Sequence, residues 1–148
     1  IKNLSKRAKT IYFESHVTLI GGIRIKPEKI MKIMDKLAHK TPPFKISFMT
    51  AGKIGEFYKS VFLQCRKTKG LIEANALAQK LFSKNYKYNP HMSLVYGDID
   101  DKLKSKILNS INPKLIKSFS FEANSILLCR AFGTAENWKI IYEAQFRK

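Results

Sequence analysis

The sequence predicts an α+β fold of mainly antiparallel sheets with helices packed outside them. Three observations carry that expectation. Runs of β-forming residues alternate with segments whose apolar side chains recur at helical spacing. Strand candidates come in close pairs, as hairpins do. One ten-residue pattern also occurs twice, its copies 75 residues apart in a chain of 148, the offset of a duplicated lobe.

Taken in order, Thr10–Ile23 reads as a strand and its exit, the strand proper covering 10–20. Ile11, Phe13, Val17, Leu19 and Ile20 are β-formers, and Gly21-Gly22 ends the run. Pro27 suits the first turn of a helix and Glu28 favours its N-terminus. Ile30, Ile33, Met34, Leu37 and Ala38 then form one stripe, stopped by Thr41-Pro42-Pro43. Two strands follow, about Phe44–Thr50 and Phe57–Arg66, joined across Gly52–Glu56. Gly70 opens a second helix with Leu71, Ala74, Leu77, Ala78 and Leu81 inward, closed by Asn85–Lys87. A strand over 90–97, centred on His91–Tyr96, follows Pro90. Asp98, Asp100 and Asp101 head a short helix carrying Leu103, Ile107 and Ile111, which Asn112-Pro113 ends. Two last strands, about Ser118–Cys129 and Trp138–Phe146, flank a turn with Gly133. The basic residues ahead of Thr10 carry no predicted element.

An apolar fraction of 45%, with ten Phe and six Tyr, is enough for a real core, so residues 1–148 are expected to form one domain, divided at most into two lobes. No apolar run approaches bilayer length, and no membrane partner is expected. The unusual quantity is a net charge of +17, which attracts polyanions. Of the 28 cations, 23 are Lys, spread along a chain also rich in Ile and Asn. An AT-biased genome produces the same mixture, so charge alone names only a partner class. Cys65 and Cys129 stand apart, with no paired His spacing, and read as free, at least half-buried thiols of a reducing, cytoplasmic compartment. A single disulfide between them is the alternative. Ligand spacing for zinc is absent, and neither a metal nor another cofactor is expected.

The repeat carries the chemistry. Phe13-Glu-Ser-His16-Val-Thr18-Leu-Ile-Gly-Gly22 lies over Tyr88-Asn-Pro-His91-Met-Ser93-Leu-Val-Tyr-Gly97. Position for position this is aromatic, polar, small, His, apolar, hydroxyl, Leu, β-branched, variable, Gly. Alternate strand residues share a face, so His16 projects beside Thr18 and His91 beside Ser93, while Val17 and Met92 point into a core. If the two copies face each other about a pseudo-twofold axis, two imidazoles and two hydroxyls converge on one cleft. Such a set suits phosphate esters. One neutral imidazole takes a proton from the attacking oxygen, one imidazolium protonates the leaving oxygen, and the hydroxyls donate to the phosphate. A lone His-x-Thr is usually structural, but a structural His has no reason to recur with its hydroxyl, aromatic and glycine. The third histidine, His39, ends a basic helix and is expected at the surface.

These motifs resemble the two-histidine (2H) phosphoesterase superfamily with its LigT-like fold. The wording around His16 and His91 is most similar to the cyclic phosphodiesterases of plants and yeast. The resemblance implies a bilobal arrangement, two pseudo-symmetric antiparallel-sheet lobes with outer helices and a central groove. It also implies metal-free opening of a ribose cyclic phosphate, a 2′,3′-cyclic nucleotide or ADP-ribose 1″,2″-cyclic phosphate, leaving a 2′-phosphate. His16 and His91 are then the acid–base pair, Thr18 and Ser93 the phosphate-binding hydroxyls, and Tyr96 a pocket-lining residue. Members commonly place a strand ahead of the first motif. Here nine basic-rich residues precede Thr10, which leaves room for an unpaired sheet edge there, or for a partner chain filling the gap.

The expected partner is a nucleotide or an RNA cyclic-phosphate end, and the expected state is a monomer. Two alternatives stand beside it. An RNA-end enzyme (an RNA 2′,3′-cyclic phosphodiesterase or 2′-5′ RNA ligase) would use the lysines to hold the strand. A non-catalytic RNA-binding protein would keep the shell without turnover, although four intact motif side chains argue against it.

Overall fold

Leu4, Ser5 and Ala8 fall at helical spacing, and in the computed structural model, which describes residues 1–147, the basic N-terminal run is a helix, Lys2–Ala8 (α1). It turns Ser5 and Ala8 inward and packs against the second-motif strand, where sequence reasoning placed no element. Pro27–Lys40 (α2) follows the predicted stripe, burying Ile30, Met34, Leu37 and Ala38. Phe44–Lys53 (β1) is longer than expected. Phe57–Lys59 is a single 3-10 turn, so the next strand begins at Val61 and ends at Cys65 (β2). Lys69–Leu81 (α3), His91–Val95 (β3) and Asp101–Asn109 (α4) lie where periodicity places them. The α4 N-terminus is capped by Asp100, whose carboxylate accepts from the Leu103 amide at 2.8 Å.

Asn112-Pro113 both ends one helix and begins another, Pro113–Ser118 (α5). Its missing amide suits Pro113 to the first helical position, and Asn112 accepts from the Lys114 amide. The predicted strand Ser118–Cys129 is two strands, Ser120–Ala123 (β4) and Ser125–Arg130 (β5), broken at Asn124 because the chain there changes sheets. Lys139–Gln145 (β6) closes the order.

Every strand pair is antiparallel. Four strands form one sheet in the order β3-β2-β1-β4, and β5-β6 form a second. The β1–β2 register shifts between Phe48 and Thr50, a bulge that increases local twist. Helix α2 lies on the β5-β6 sheet, tied by the Tyr142 hydroxyl donating to Asp35 Oδ1 at 2.6 Å, while α4 and α5 pack against β1. Phe48, Leu37, Leu71, Ile107, Val61 and Val95 are sealed in the core. Phe119, Phe121 and Ile140 are exposed, because β4 is a sheet edge and the β5-β6 pair is covered on one side only. Cys65 is buried, His39 is exposed as expected, and Cys129 is exposed rather than half-buried. Both thiols are free, so the disulfide alternative falls.

The largest departure concerns the predicted strand 10–20. Only Val17 pairs there, in an isolated antiparallel bridge with Met92. Side chains, not a neighbouring strand, satisfy this backbone. The Tyr88 hydroxyl donates to the Thr18 carbonyl at 3.0 Å, and Asn75 Nδ2 to the Leu19 carbonyl at 2.8 Å. The β-forming composition of the segment reports its half-burial, which an extended segment beside a sheet edge also requires.

Candidate active site

Val17 and Met92 hold equivalent places in the repeat, and they pair with each other. The local twofold of that antiparallel bridge is therefore the twofold of the duplication. Its register sets His16 opposite Ser93 and Thr18 opposite His91, all on the face away from Met92. Directly opposed residues have Cβ atoms about 4.5–5.5 Å apart. Both copies also reach across. Phe13 of the first stacks on Tyr96 of the second, with ring centroids 3.6 Å apart, while Tyr88 of the second donates to Thr18 of the first. Gly22 (φ 65°) and Gly97 (φ 128°) both take left-handed backbone. At Gly97 a Cβ would also lie 2.9 Å from Thr10 Cγ2, so the glycine of the pattern is a backbone requirement.

The two imidazoles are held identically. His16 Nδ1 donates to the Glu14 carbonyl at 2.7 Å, and His91 Nδ1 to the Asn89 carbonyl at 2.9 Å. A carbonyl can only accept, so Nδ1 carries hydrogen in each ring. Nε2 is left to accept a proton when the ring is neutral, or to donate one when it is charged. Their surroundings differ. His16 is exposed, with its Nε2 3.4 Å from the Tyr96 hydroxyl and its ring 6.2 Å from that of Trp138. His91 is half-buried, and desolvation pushes its pKa below the ordinary imidazole value. Its bond to the Asn89 carbonyl opposes this, as does Glu56, while Lys59 and His16 add to the lowering.

The hydroxyls also differ. Thr18 is exposed, whereas Ser93 is buried and donates to the Tyr58 carbonyl at 2.8 Å. Burial raises the Tyr96 phenol to about 12, so it is a neutral hydroxyl at any physiological pH. Thr10, Phe57, Tyr96 and Gly97 line a cleft of about 350 Å³ beside it. A wider groove of about 780 Å³, lined by Met49, Leu108, Ile111 and Ile116 among others, does not include either motif histidine. Among the described residues no three His, Cys, Asp or Glu side chains gather as metal ligands. No helix among them is long and apolar enough to cross a membrane.

A family model described as cyclic phosphodiesterase-like protein matches residues 1–146. The chain belongs to the cyclic phosphodiesterase-like family. A curated relative of this family member, an uncharacterised Schizosaccharomyces pombe protein, is 33% identical over 88 residues. That match covers 55% of this chain and 42% of the relative, so the chain spans less than half of that protein's length. Two solved structures share the fold. One is a phosphoesterase, with a TM-score of 0.63 at 18% identity over 90% of this chain and 78% of that one. The other is Escherichia coli LigT complexed with 3′-AMP, with a TM-score of 0.58 at 16% identity over 90% and 76%. The cyclic phosphodiesterase-like chain thus has the α+β, LigT-like 2H fold, with curled antiparallel sheets.

Three residues of the face escaped the sequence reading. Trp138 contacts His16, Tyr58 and Tyr96 through ring-to-ring distances of 6.2, 5.9 and 6.0 Å. Tyr58 and Lys59 arrive on the 3-10 turn that was expected to be strand. A single tryptophan and the aromatic pair Phe57-Tyr58 beside a cation were visible signals. Nothing local said which face they join.

Proposed function

We propose that this chain is a phosphodiesterase that opens a ribose cyclic phosphate, a 2′,3′-cyclic nucleotide or ADP-ribose 1″,2″-cyclic phosphate. The observation that carries the reading is the antiparallel Val17–Met92 register, which sets two imidazoles and two hydroxyls on one face. For a 2′,3′-cyclic nucleotide, His91 Nε2 takes a proton from water and the water oxygen bonds to phosphorus. The bond from phosphorus to the 3′ oxygen breaks, and His16 Nε2–H gives its proton to that oxygen. The phosphate stays on the 2′ oxygen. Proton exchange with solvent then resets both rings, and these groups need no metal for the step. Thr18 donates to a non-bridging oxygen, and Ser93 does so by turning from the Tyr58 carbonyl. Tyr96 lines the pocket and steadies the His16 ring.

The assignment of base and acid follows from the surroundings. Desolvation and the nearby Lys59 disfavour a charged His91, which suits a base, and exposed His16 suits the acid. The rate should be bell-shaped in pH. Its acid limb, set by protonation of His91, should lie below the ordinary imidazole value of about 6.5. An alkaline limb follows because the group that protonates the leaving oxygen must carry a proton. A rate unchanged between about pH 5 and 8 would remove the imidazole pair from the mechanism.

Incubation with 2′,3′-cyclic nucleotides, ADP-ribose cyclic phosphate and an RNA ending in a cyclic phosphate, with the phosphate located in each product, tests the function. A 2′-monophosphate from the mononucleotide is the expected result. The net charge of +17, with two Lys–carboxylate pairs within 4 Å among the described residues, favours an RNA end as a second substrate. Affinity for that substrate should fall steeply with salt, whereas mononucleotide turnover should change little. RNA binding that survives His16→Ala and His91→Ala, with no turnover of any substrate, would instead identify a non-catalytic RNA-binding protein.

A further inference from the structure

Lys59 is 8% exposed, although a buried ammonium is unfavourable without a partner. Among the described residues no carboxylate lies within salt-bridge distance of it and none accepts a hydrogen bond from its Nζ. Its Nζ rests 4.3 Å from the centroid of the Phe62 ring. That ring meets His91 edge-on at 5.9 Å, and Phe62 pairs with Ser93 across β2–β3. Lys59 therefore caps the face that carries His91 and Ser93. The chain offers a contrast in its other buried lysine, Lys104, which lies close enough to Asp101 to help lower that carboxyl. Glu56, three residues back, is exposed and accepts from the Lys59 amide only through its backbone carbonyl, at 3.0 Å, and no salt bridge among the described residues joins its carboxylate to Lys59.

We propose that Lys59 is a phosphate-binding residue of this site, an ammonium desolvated in advance whose missing counter-ion is the phosphate of the ligand. The inference rests on the reading of the groove as a phosphate site and adds a fifth group to it. Burial beside Phe62 keeps the charge from being screened by water, so its attraction for an anion is stronger than that of a surface lysine. It also discriminates by charge. A cyclic phosphodiester carries one negative charge, whereas the monoester product carries close to two at neutral pH. Lys59 should therefore bind product more tightly than substrate and make the enzyme subject to inhibition by product and by inorganic phosphate.

Inorganic phosphate is the probe, titrated into the full chain while the His16 and His91 ring signals are followed by NMR. Lys59→Met keeps a stem of similar length over Phe62 and removes the charge. It should weaken phosphate binding about tenfold or more, the range for a charge-assisted hydrogen bond. Lys59→Arg should retain most of the binding. Thermal unfolding establishes that each variant is folded, and Lys59→Gln replaces the Met variant if that one is not. Where cyclic nucleotides are turned over, the uncharged variant should also lose sensitivity to added 2′-phosphate product. A folded, uncharged variant that binds phosphate within about twofold of the wild type overturns the inference, as does a wild type that binds none. Lys59-dependent phosphate binding without turnover of any cyclic phosphate supports the inference and removes the proposed reaction. Turnover with Lys59-independent binding does the reverse.

Discussion

His91→Ala should lower kcat for 2′,3′-cyclic nucleotide hydrolysis by about 10²–10⁴, and His16→Ala by a similar factor. Each removal takes away one end of a proton path in which the two Nε2 atoms act within the same transition state. The losses should therefore not add, and the double variant should be little slower than the worse single one. Position explains why folding should be spared. His16 is exposed, and its one bond on the Nδ1 side is to a carbonyl two residues back. His91 is half-buried, so its truncation leaves the Asn89 carbonyl without a donor, at a cost of about 1 kcal/mol. Steady-state kinetics with thermal unfolding on the same samples separates the two effects. Either single variant retaining activity within about tenfold would show that its imidazole is not in the proton path.

Phe48→Ala should destabilise the fold by about 3–5 kcal/mol, the cost of emptying a fully buried aromatic site. Phe48 is 0% exposed at the centre of β1, opposite Cys65, with its ring 5.4 Å from that of Phe119. Strand pairs cross β1 on both sides, and α4 and α5 pack on it, so the cavity cannot close by moving one element. Since a domain of this kind holds about 5–15 kcal/mol in total, the loss is a large fraction of its stability. Denaturant midpoints measure it, and Phe48→Leu should lose clearly less because most of the volume is kept. A loss below about 1 kcal/mol would mean that β1 is not the packed centre of the sheet.

Both predictions draw on features that were partly legible in the chain itself. The stripe of α2 and its Pro27 start are local matters, encoded in neighbouring residues, and they lie where spacing predicts. The motif strand at His91 is likewise local. By contrast, the break at Asn124 could not be read, because β4 and β5 are one continuous β-forming run that divides only when two different sheets claim its halves. The first-motif segment failed in the opposite way. Its composition is that of a strand, yet its polar backbone is satisfied by Tyr88 and Asn75, residues remote in sequence.

The candidate site divides along the same line. The sequence by itself determined the four motif side chains, His16, Thr18, His91 and Ser93, and the pairing of each imidazole with a hydroxyl, since residues two apart on extended backbone share a face. It also placed a glycine at the exit of both copies, and the structure shows why, since the backbone there is left-handed. Only the tertiary structure decided that Val17 meets Met92, which turns two faces into one. It alone seated Lys59 over Phe62 with no salt bridge to it among the described residues, and brought Trp138 beside His16. The physical reason is range. Periodicity and turn chemistry act over a few residues, whereas which edges pair and which charges are buried follow from the whole core closing at once.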